Sequence, residues 1–354
     1  MAMAEANWSE LPTELLNLIS QRINNDLDLI RFRSVCHNWR TSSISYHHHH
    51  TLPFNLPHFI SHYPLCSLSK HIIVLIKSPQ KQDQETLQPW LIKISKNSNG
   101  ETQLVHPLHD NLNIYRFPYD LDFNKLSVVH LGNHFVMHDY REGSTNIQKA
   151  GFGKKVVAVT CHGKKPLALF TLNFEGHPVL FNCRKERWTV ITYMSTLFQD
   201  ICVFKERFCA VNKIGLTVAF GPYYTDLVAE NVDGGYMKFL VESEGELFLV
   251  DIYDRHCFGF PGEDGLRLNV FRLDEKEKRW VKVTNLGDRV LFLGNGCSFS
   301  TSVSKGGNCV IFIDDAFLPS DNMYCGRSVF HLDHGRLSRL SDYPHYFELL
   351  QCFK

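Results

Sequence analysis

Long apolar runs are missing from this 354-residue chain. The longest, such as Ile72-Ile73-Val74-Leu75-Ile76, fall far short of the roughly 20 residues that cross a bilayer. Met1 to Glu10 holds no apolar signal core, so a soluble intracellular protein of nucleus or cytoplasm is expected, with no membrane partner. Asn7-Trp8-Ser9 then matches a glycosylation acceptor by chance. A charge excess is also missing: Lys plus Arg and Asp plus Glu are 37 each. Proteins that replace counterions along phosphates are basic, so nucleic acid is not an expected partner. The pairs Lys154-Lys155 and Lys164-Lys165 read as solvated turns. No C-x-x-C occurs among the 11 cysteines, and the closest two, Cys202 and Cys209, are seven apart. That excludes a zinc site built from Cys pairs and fits a reduced compartment better than a disulfide scaffold. Methionine is scarce (6) and phenylalanine abundant (26), a bias towards pleated surfaces on which flat rings pack.

Catalytic signatures are absent as well. Gly151-Phe152-Gly153 lacks a third glycine, and Lys154-Lys155 lacks the Ser or Thr of a phosphate loop. There is no H-E-x-x-H and no G-x-S-x-G. His130, His134 and His138 are four apart. On strands such residues stand about 13 Å apart, too far to share an ion. Gly132-Asn133 reads as a hairpin turn there, with ordinary surface histidines. The adjacent His47 to His50 point in different directions and have no carboxylate nearby. Asp314-Asp315, and Asp251 with Asp254, follow apolar runs, where Asp starts turns. No catalytic residue, metal ligand or cofactor is assigned, and a non-enzyme is expected.

What is present begins with helix. Pro12 suits a first helical turn, where its missing N–H costs nothing. Glu14 favours the positive helix end. Leu15, Leu16, Ile19 and Ile23 recur at helical spacing. Asn24-Asn25-Asp26 ends that helix, Asp28 is positioned to cap a second and Ser34 a third that carries Val35, Cys36 and Trp39. Three short helices make too small a core to stand alone. They nevertheless carry Leu11, Leu15, Leu16, Leu18, Ile19, Ile23, Leu27, Leu29, Ile30, Phe32, Val35 and Trp39. The surplus must face either the rest of the chain or another protein.

Leu11-Pro12 with Leu15, Leu16 and Ile19, then Asp28-Leu29-Ile30-Arg31-Phe32-Arg33-Ser34-Val35-Cys36 with Trp39-Arg40, resembles the F-box. About ten positions agree in order and spacing. The resemblance implies docking onto a Skp-type adaptor, and through it to a cullin, with Leu11, Pro12, Leu15, Leu16, Ile19, Leu29, Val35 and Trp39 forming or supporting the docking face. The competing reading is a helical cap folded back onto the rest of the chain.

Residues 1–45 are therefore expected to be the F-box and 46–64 a linker broken by Pro53, Pro57 and Pro64. Residues 65–354 are expected to be a β domain of short apolar alternations separated by polar turns. Strand–turn–strand units recur near Ile92, Phe181 and Phe271, spaced 89 and 90 residues. Each interval is about twice the 45-residue length of a propeller blade. Units near Val136 and Ala219 fall midway, and one near Phe330 completes six. The fold class read here is α+β, a three-helix F-box followed by a six-bladed β-propeller. Closure is expected to put His71 to Lys77 in one blade with C-terminal strands. Trp188 and Trp280 after charged turns, and Gly234-Gly235 and Gly306-Gly307 before strands, loosely resemble kelch blades. Helices followed by such a domain resemble plant F-box proteins with a C-terminal β domain of unassigned function. That resemblance implies a substrate-recognition subunit of a ubiquitin ligase with an unknown protein target. Tyr- and Phe-rich loops at Gly221 to Asp226 and Phe317 to Gly326 are the expected contact points. The alternatives are a scaffold without ubiquitin transfer, or a propeller that binds a ligand.

Overall fold

The structure, a computed structural model, describes residues 8–23, 26–43, 54–56, 66–77, 89–96, 102–108, 127–139, 152–160, 166–173, 175–192, 194, 196–221, 224–253, 267–294, 296–303, 306–313 and 327–350. Three helices come first: α1 (Thr13–Arg22), α2 (Asp26–Ser34) and α3 (His37–Ser42). Pro12 sits just outside α1 as its N-cap. The two expected caps are displaced. Asp28 lies inside α2 and pairs with Arg31 at 3.0 Å, because the helix starts two residues earlier. Ser34 ends α2, donating from Oγ to the Arg31 carbonyl, while Cys36 takes the N-cap of α3.

Twenty-two strands follow among the described residues. Blade 1 holds β2 (Cys66–Lys77), β3 (Trp90–Lys96), β4 (Thr102–Val105) and β5 (Ser127–Asp139), with the short β1 (Phe54–Leu56) added on β2. Blade 2 is β6 (Phe152–Thr160), β7 (Pro166–Asn173), β8 (Pro178–Asn182) and β9 (Arg187–Val190). Blade 3 is β10 (Phe198–Phe204), β11 (Arg207–Asn212), β12 (Thr217–Phe220) and β13 (Thr225–Ala229). Blade 4 is β14 (Met237–Ser243), β15 (Glu246–Tyr253), β16 (Arg267–Asp274) and β17 (Arg279–Val283). Blade 5 has the order β19 (Ser298–Ser302), β18 (Arg289–Leu293), β20 (Cys309–Ile313), β21 (Arg327–His331), β22 (Arg336–Arg339). A C-terminal helix, α4 (Pro344–Leu350), ends the described chain.

The inner strands β6, β10, β14, β19 and β5 each neighbour the next, and β5 returns to β6 through the bridge Phe135–Val156. The ring closes with five blades among the described residues. Apolar clusters fill each seam. Leu68, Phe135 and Met137 meet Val156 and Leu169, and Phe170 and Leu180 meet Phe208 and Phe220. Cys209 and Val211 meet Leu240 and Leu249, and Phe248 and Val250 meet Leu291 and Phe312. Phe292 and Ile311 meet Ile73 and Leu75. This closure protects the sheet edges that isolated blades would expose.

Two expectations about the ring are corrected. The unit near Val136 is not a sixth blade, and Gly132-Asn133 is not a turn. β5 runs unbroken past both, paired with β2 from Cys66↔Asp139 to Lys77↔Ser127 and interrupted only by a bulge between Ile73 and Val74. A long, well-matched partner strand outweighs a two-residue turn signal. Closure also does not mix N- and C-terminal strands in one blade. β2 pairs within blade 1 alone, and the seam to blade 5 is sealed by side chains. There Tyr346, Leu349 and Leu350 of α4 join Ile73, Leu75 and Leu91.

The length of β2 has a purpose visible in its alternation. Leu68 faces blade 2. Further along the same face, Ile72, Val74 and Ile76 project beyond that seam and receive Leu27 and Ile30 of α2. Arg31 adds a bond from Nη2 to the Val128 carbonyl at 3.3 Å. The helical module is thus seated on an extended face of blade 1.

Candidate partner-docking face

Seating α2 on the sheet decides which side of the helical module faces outwards. Leu27, Leu29 and Phe32 are buried. Phe32 packs its ring on Trp39 of α3, with centroids 4.6 Å apart. α3 then holds the leading turn: Trp39 Nε1 donates to the Trp8 carbonyl at 3.0 Å, and Asn38 Nδ2 to that of Leu11 at 3.3 Å. α1 lies against α3 with Leu16 turned inwards and fully buried.

The opposite side of α1 is uncovered. Leu15 is 47% exposed, Leu18 52% and Ile19 41%. At i, i+3 and i+4 these three share one helix face. Pro12 is exposed at the head of the same helix, and Val35 is exposed at the joint between α2 and α3. Trp8 is also exposed. Arg33 and Arg40 stand near one another by α3. Burial, and then the Arg40 charge, hold the Arg33 guanidinium below its ordinary value.

The eight residues singled out from the sequence therefore divide. Pro12, Leu15, Ile19 and Val35 are exposed, Leu11 and Trp39 are half-buried, and Leu16 and Leu29 lie in the interior. Leu18 and Trp8 were missed as surface groups. The spacing of Leu18 from Leu15 carried that signal.

A second polar concentration lies on the ring axis. Lys155 of β6 reaches both oxygens of Asp200 on β10, at 2.9 and 3.0 Å, and Ser298 Oγ of β19 at 3.4 Å. Asp200 in turn accepts the Leu240 N–H of β14 at 2.7 Å. On blade 1, Lys93 Nζ is 3.3 Å from His134 Nδ1, and both are buried. The expectation of a surface His134 is thus corrected, since β5 aims it inwards. Asp251 is no turn residue either. It lies inside β15, buried, with Lys238 Nζ at 2.6 Å. Burial raises its carboxyl above the ordinary value, opposed by Lys238. Among the described residues no cluster of His, Cys, Asp and Glu has metal-binding geometry. His47 to His50, Asp254 and Asp314-Asp315 lie outside the described residues, as does the expected contact loop Phe317 to Gly326. In the other expected loop, Tyr224 is exposed.

The family model described as "KIB1-4 beta-propeller" matches residues 65–331, from the start of blade 1 to the end of β21. The chain belongs to that family. The propeller family's domain here is preceded by the helical module, and the relatives below match nearly the whole chain, helical module included. "F-box protein SKIP23" of Arabidopsis thaliana is 32% identical, over 97% of this chain and 93% of the relative. "F-box protein At2g17036" of the same plant is 30% identical over the same shares. "F-box/kelch-repeat protein At1g64840", also from Arabidopsis thaliana, is 29% identical over 94% and 92%. The chain is thus an F-box protein of the KIB1-4 propeller family.

Proposed function

We propose that this protein is the substrate-recognition subunit of a Skp–cullin–F-box ubiquitin ligase. The uncovered Leu15, Leu18 and Ile19 ridge on α1 carries the reading. Its occupant is a Skp-type adaptor, linked to a cullin and so to a ubiquitin-conjugating enzyme. Each such side chain is already about half buried, so removing the rest from water contributes roughly 1 kcal/mol. The competing cap reading accounts for α2, which packs on blade 1, but leaves the α1 ridge without a role, because α1 turns these side chains outwards. A receptor of this kind needs no chemistry of its own. It raises the effective concentration of a target lysine near the charged enzyme. α2, packed on blade 1, links the docking ridge to the propeller that holds the target.

The test is a pull-down of the full chain with a purified Skp-type adaptor. Leu15→Asp with Ile19→Asp should abolish capture while leaving the melting temperature within a degree or two, because both residues are surface groups. Capture unchanged by the double substitution would remove the reading. Cullin-dependent turnover of a bound partner then separates a ligase subunit from a scaffold that transfers no ubiquitin.

A further inference from the structure

The innermost hairpin of blade 3 brings two cysteines together. β10 and β11 are joined by Lys205-Glu206, both at positive φ (49° and 60°), the conformation of a tight two-residue hairpin turn. That turn fixes the register, and Cys202 falls directly opposite Cys209. Counting from the turn, Phe204 and Arg207 form a hydrogen-bonded pair, Val203 and Phe208 do not, and Cys202 and Cys209 do again. Such a pair has Cα atoms about 5.5 Å apart, inside the roughly 4.4–6.8 Å that a disulfide spans. Directly opposed residues project to the same face of the sheet, and here both side chains lie in the same buried cluster at the seam of blades 3 and 4. Both are free thiols. No other two described cysteines share a register position.

We propose that Cys202 and Cys209 are a reversible disulfide site, closed by a small peroxide and opened by a thiol reductant. One thiolate of the pair attacks one peroxide oxygen, the O–O bond breaks, and the departing hydroxide takes up a proton. The other thiol then loses its proton and attacks the oxidised sulfur. The S–O bond breaks and the second hydroxide leaves as water. Two thiols and one hydrogen peroxide become one disulfide and two waters. Cys202 is 6% exposed and Cys209 is fully buried. Burial of that degree resists a bulky alkylating agent, so the oxidant must be small.

The position gives the modification a consequence. Asp200, two residues before Cys202 on β10, holds Lys155 at the ring axis, and both charges act on the Cys202 thiol. A staple across this hairpin stiffens the strand on which that axial contact depends. Closing so short a loop stabilises the fold less than closing a long one would, which leaves the bond easier to reduce.

The test uses the folded full-length protein exposed to hydrogen peroxide, denatured in N-ethylmaleimide and cut with trypsin. Cleavage after Lys205 and Arg207 puts the two cysteines in separate peptides. The expected product is those two peptides linked, two hydrogens lighter than their sum, and lost after dithiothreitol. Cys297 and Cys309, equally buried but unopposed, should remain alkylated. Recovery of Cys202 and Cys209 as alkylated thiols would overturn the proposal. So would their separate oxidation to sulfinic or sulfonic acid, or a link formed only when peroxide is added after denaturation.

Discussion

Asp251 shows how one side chain carries a blade. Its carboxylate and the Lys238 ammonium are both fully buried and 2.6 Å apart. Lys238 Nζ also donates to the Gly234 carbonyl at 3.3 Å. The double glycine exists for this contact: a Cβ on Gly235 would collide with Asp251 Oδ1, and one on Gly234 with the Tyr253 hydroxyl. Both glycines also sit at positive φ, where side chains are strained. Removing one member of a buried pair strands the other charge, at a cost of about 3–5 kcal/mol. Asp251→Ala should therefore lower unfolding free energy by about that amount in urea titrations. A loss below about 1 kcal/mol would show that water replaces the carboxylate. The sequence marked Gly234-Gly235 as a pair just before a strand, and they do lie just ahead of β14. It offered Asp251 as a turn residue, which does not hold, because nothing local shows that the strand continues to Tyr253 or that Lys238 lies opposite it on β14.

Elements differ in how openly their sequences declare them. α1 was legible because Leu15, Leu16 and Ile19 repeat at helical spacing, and the face left over after Leu16 is buried is the exposed ridge of Leu15, Leu18 and Ile19. β5 was not, since its Gly132-Asn133 imitates a turn and only pairing with β2, far back in the chain, overrides it. The blade count went wrong with it, as a strand of blade 1 was read as a separate unit. Trp280, noted in the sequence for its place after a charged turn, joins two blades: its Nε1 donates to the Gly215 carbonyl of blade 3 at 3.0 Å. The seal made by α4 had no local signature at all. Its residues carry no pattern that announces a seal, and their role appears only where Tyr346 touches Cys309 at 3.1 Å, beside His331 of β21, whose ring packs tilted against Tyr343 just ahead of the helix at 4.6 Å. Burial, then His334, with His345 adding to it and Asp333 opposing, holds the His331 imidazole below its usual value of about 6.5. The unfolded chain therefore takes up a proton before the folded one does. Stability is intact above that usual value and is lost as pH falls through the lowered one. Melting curves at pH 7.5 and 5.5 should separate further in the wild type than in His331→Phe, which keeps a ring there and cannot titrate. Equal separations would exclude His331 as the cause.

A ring of five blades has one weakness, that each seam depends on its neighbours for alignment, and the axial contact answers it. Lys155, Asp200, Ser298 and the Leu240 amide belong to four different inner strands, β6, β10, β19 and β14. The fifth, β5, is tied to β6 by its bridge at Phe135. The contact is directional where the apolar seams are not, so it fixes the angular order of the blades. Asp200→Ala leaves Lys155, only 14% exposed, with a hydroxyl for company, and leaves the Leu240 N–H bare. It should cost about 3–5 kcal/mol, read by urea unfolding followed through tryptophan fluorescence. Lys155→Met combined with Asp200→Leu removes both charges together and should recover most of that loss, because the penalty comes from the stranded partner and not from the missing attraction. Lys205 and Glu275 provide the contrast. They also join blades 3 and 4, at 2.6 Å, but half in water, where such a pair contributes about 0–1 kcal/mol. Glu275→Ala should leave the transition unmoved. If Asp200→Ala behaves like Glu275→Ala, the axis is solvated and the seams alone hold the ring. If it unfolds in two steps where the wild type unfolds in one, the axial ion pair is what couples the blades into a single cooperative unit.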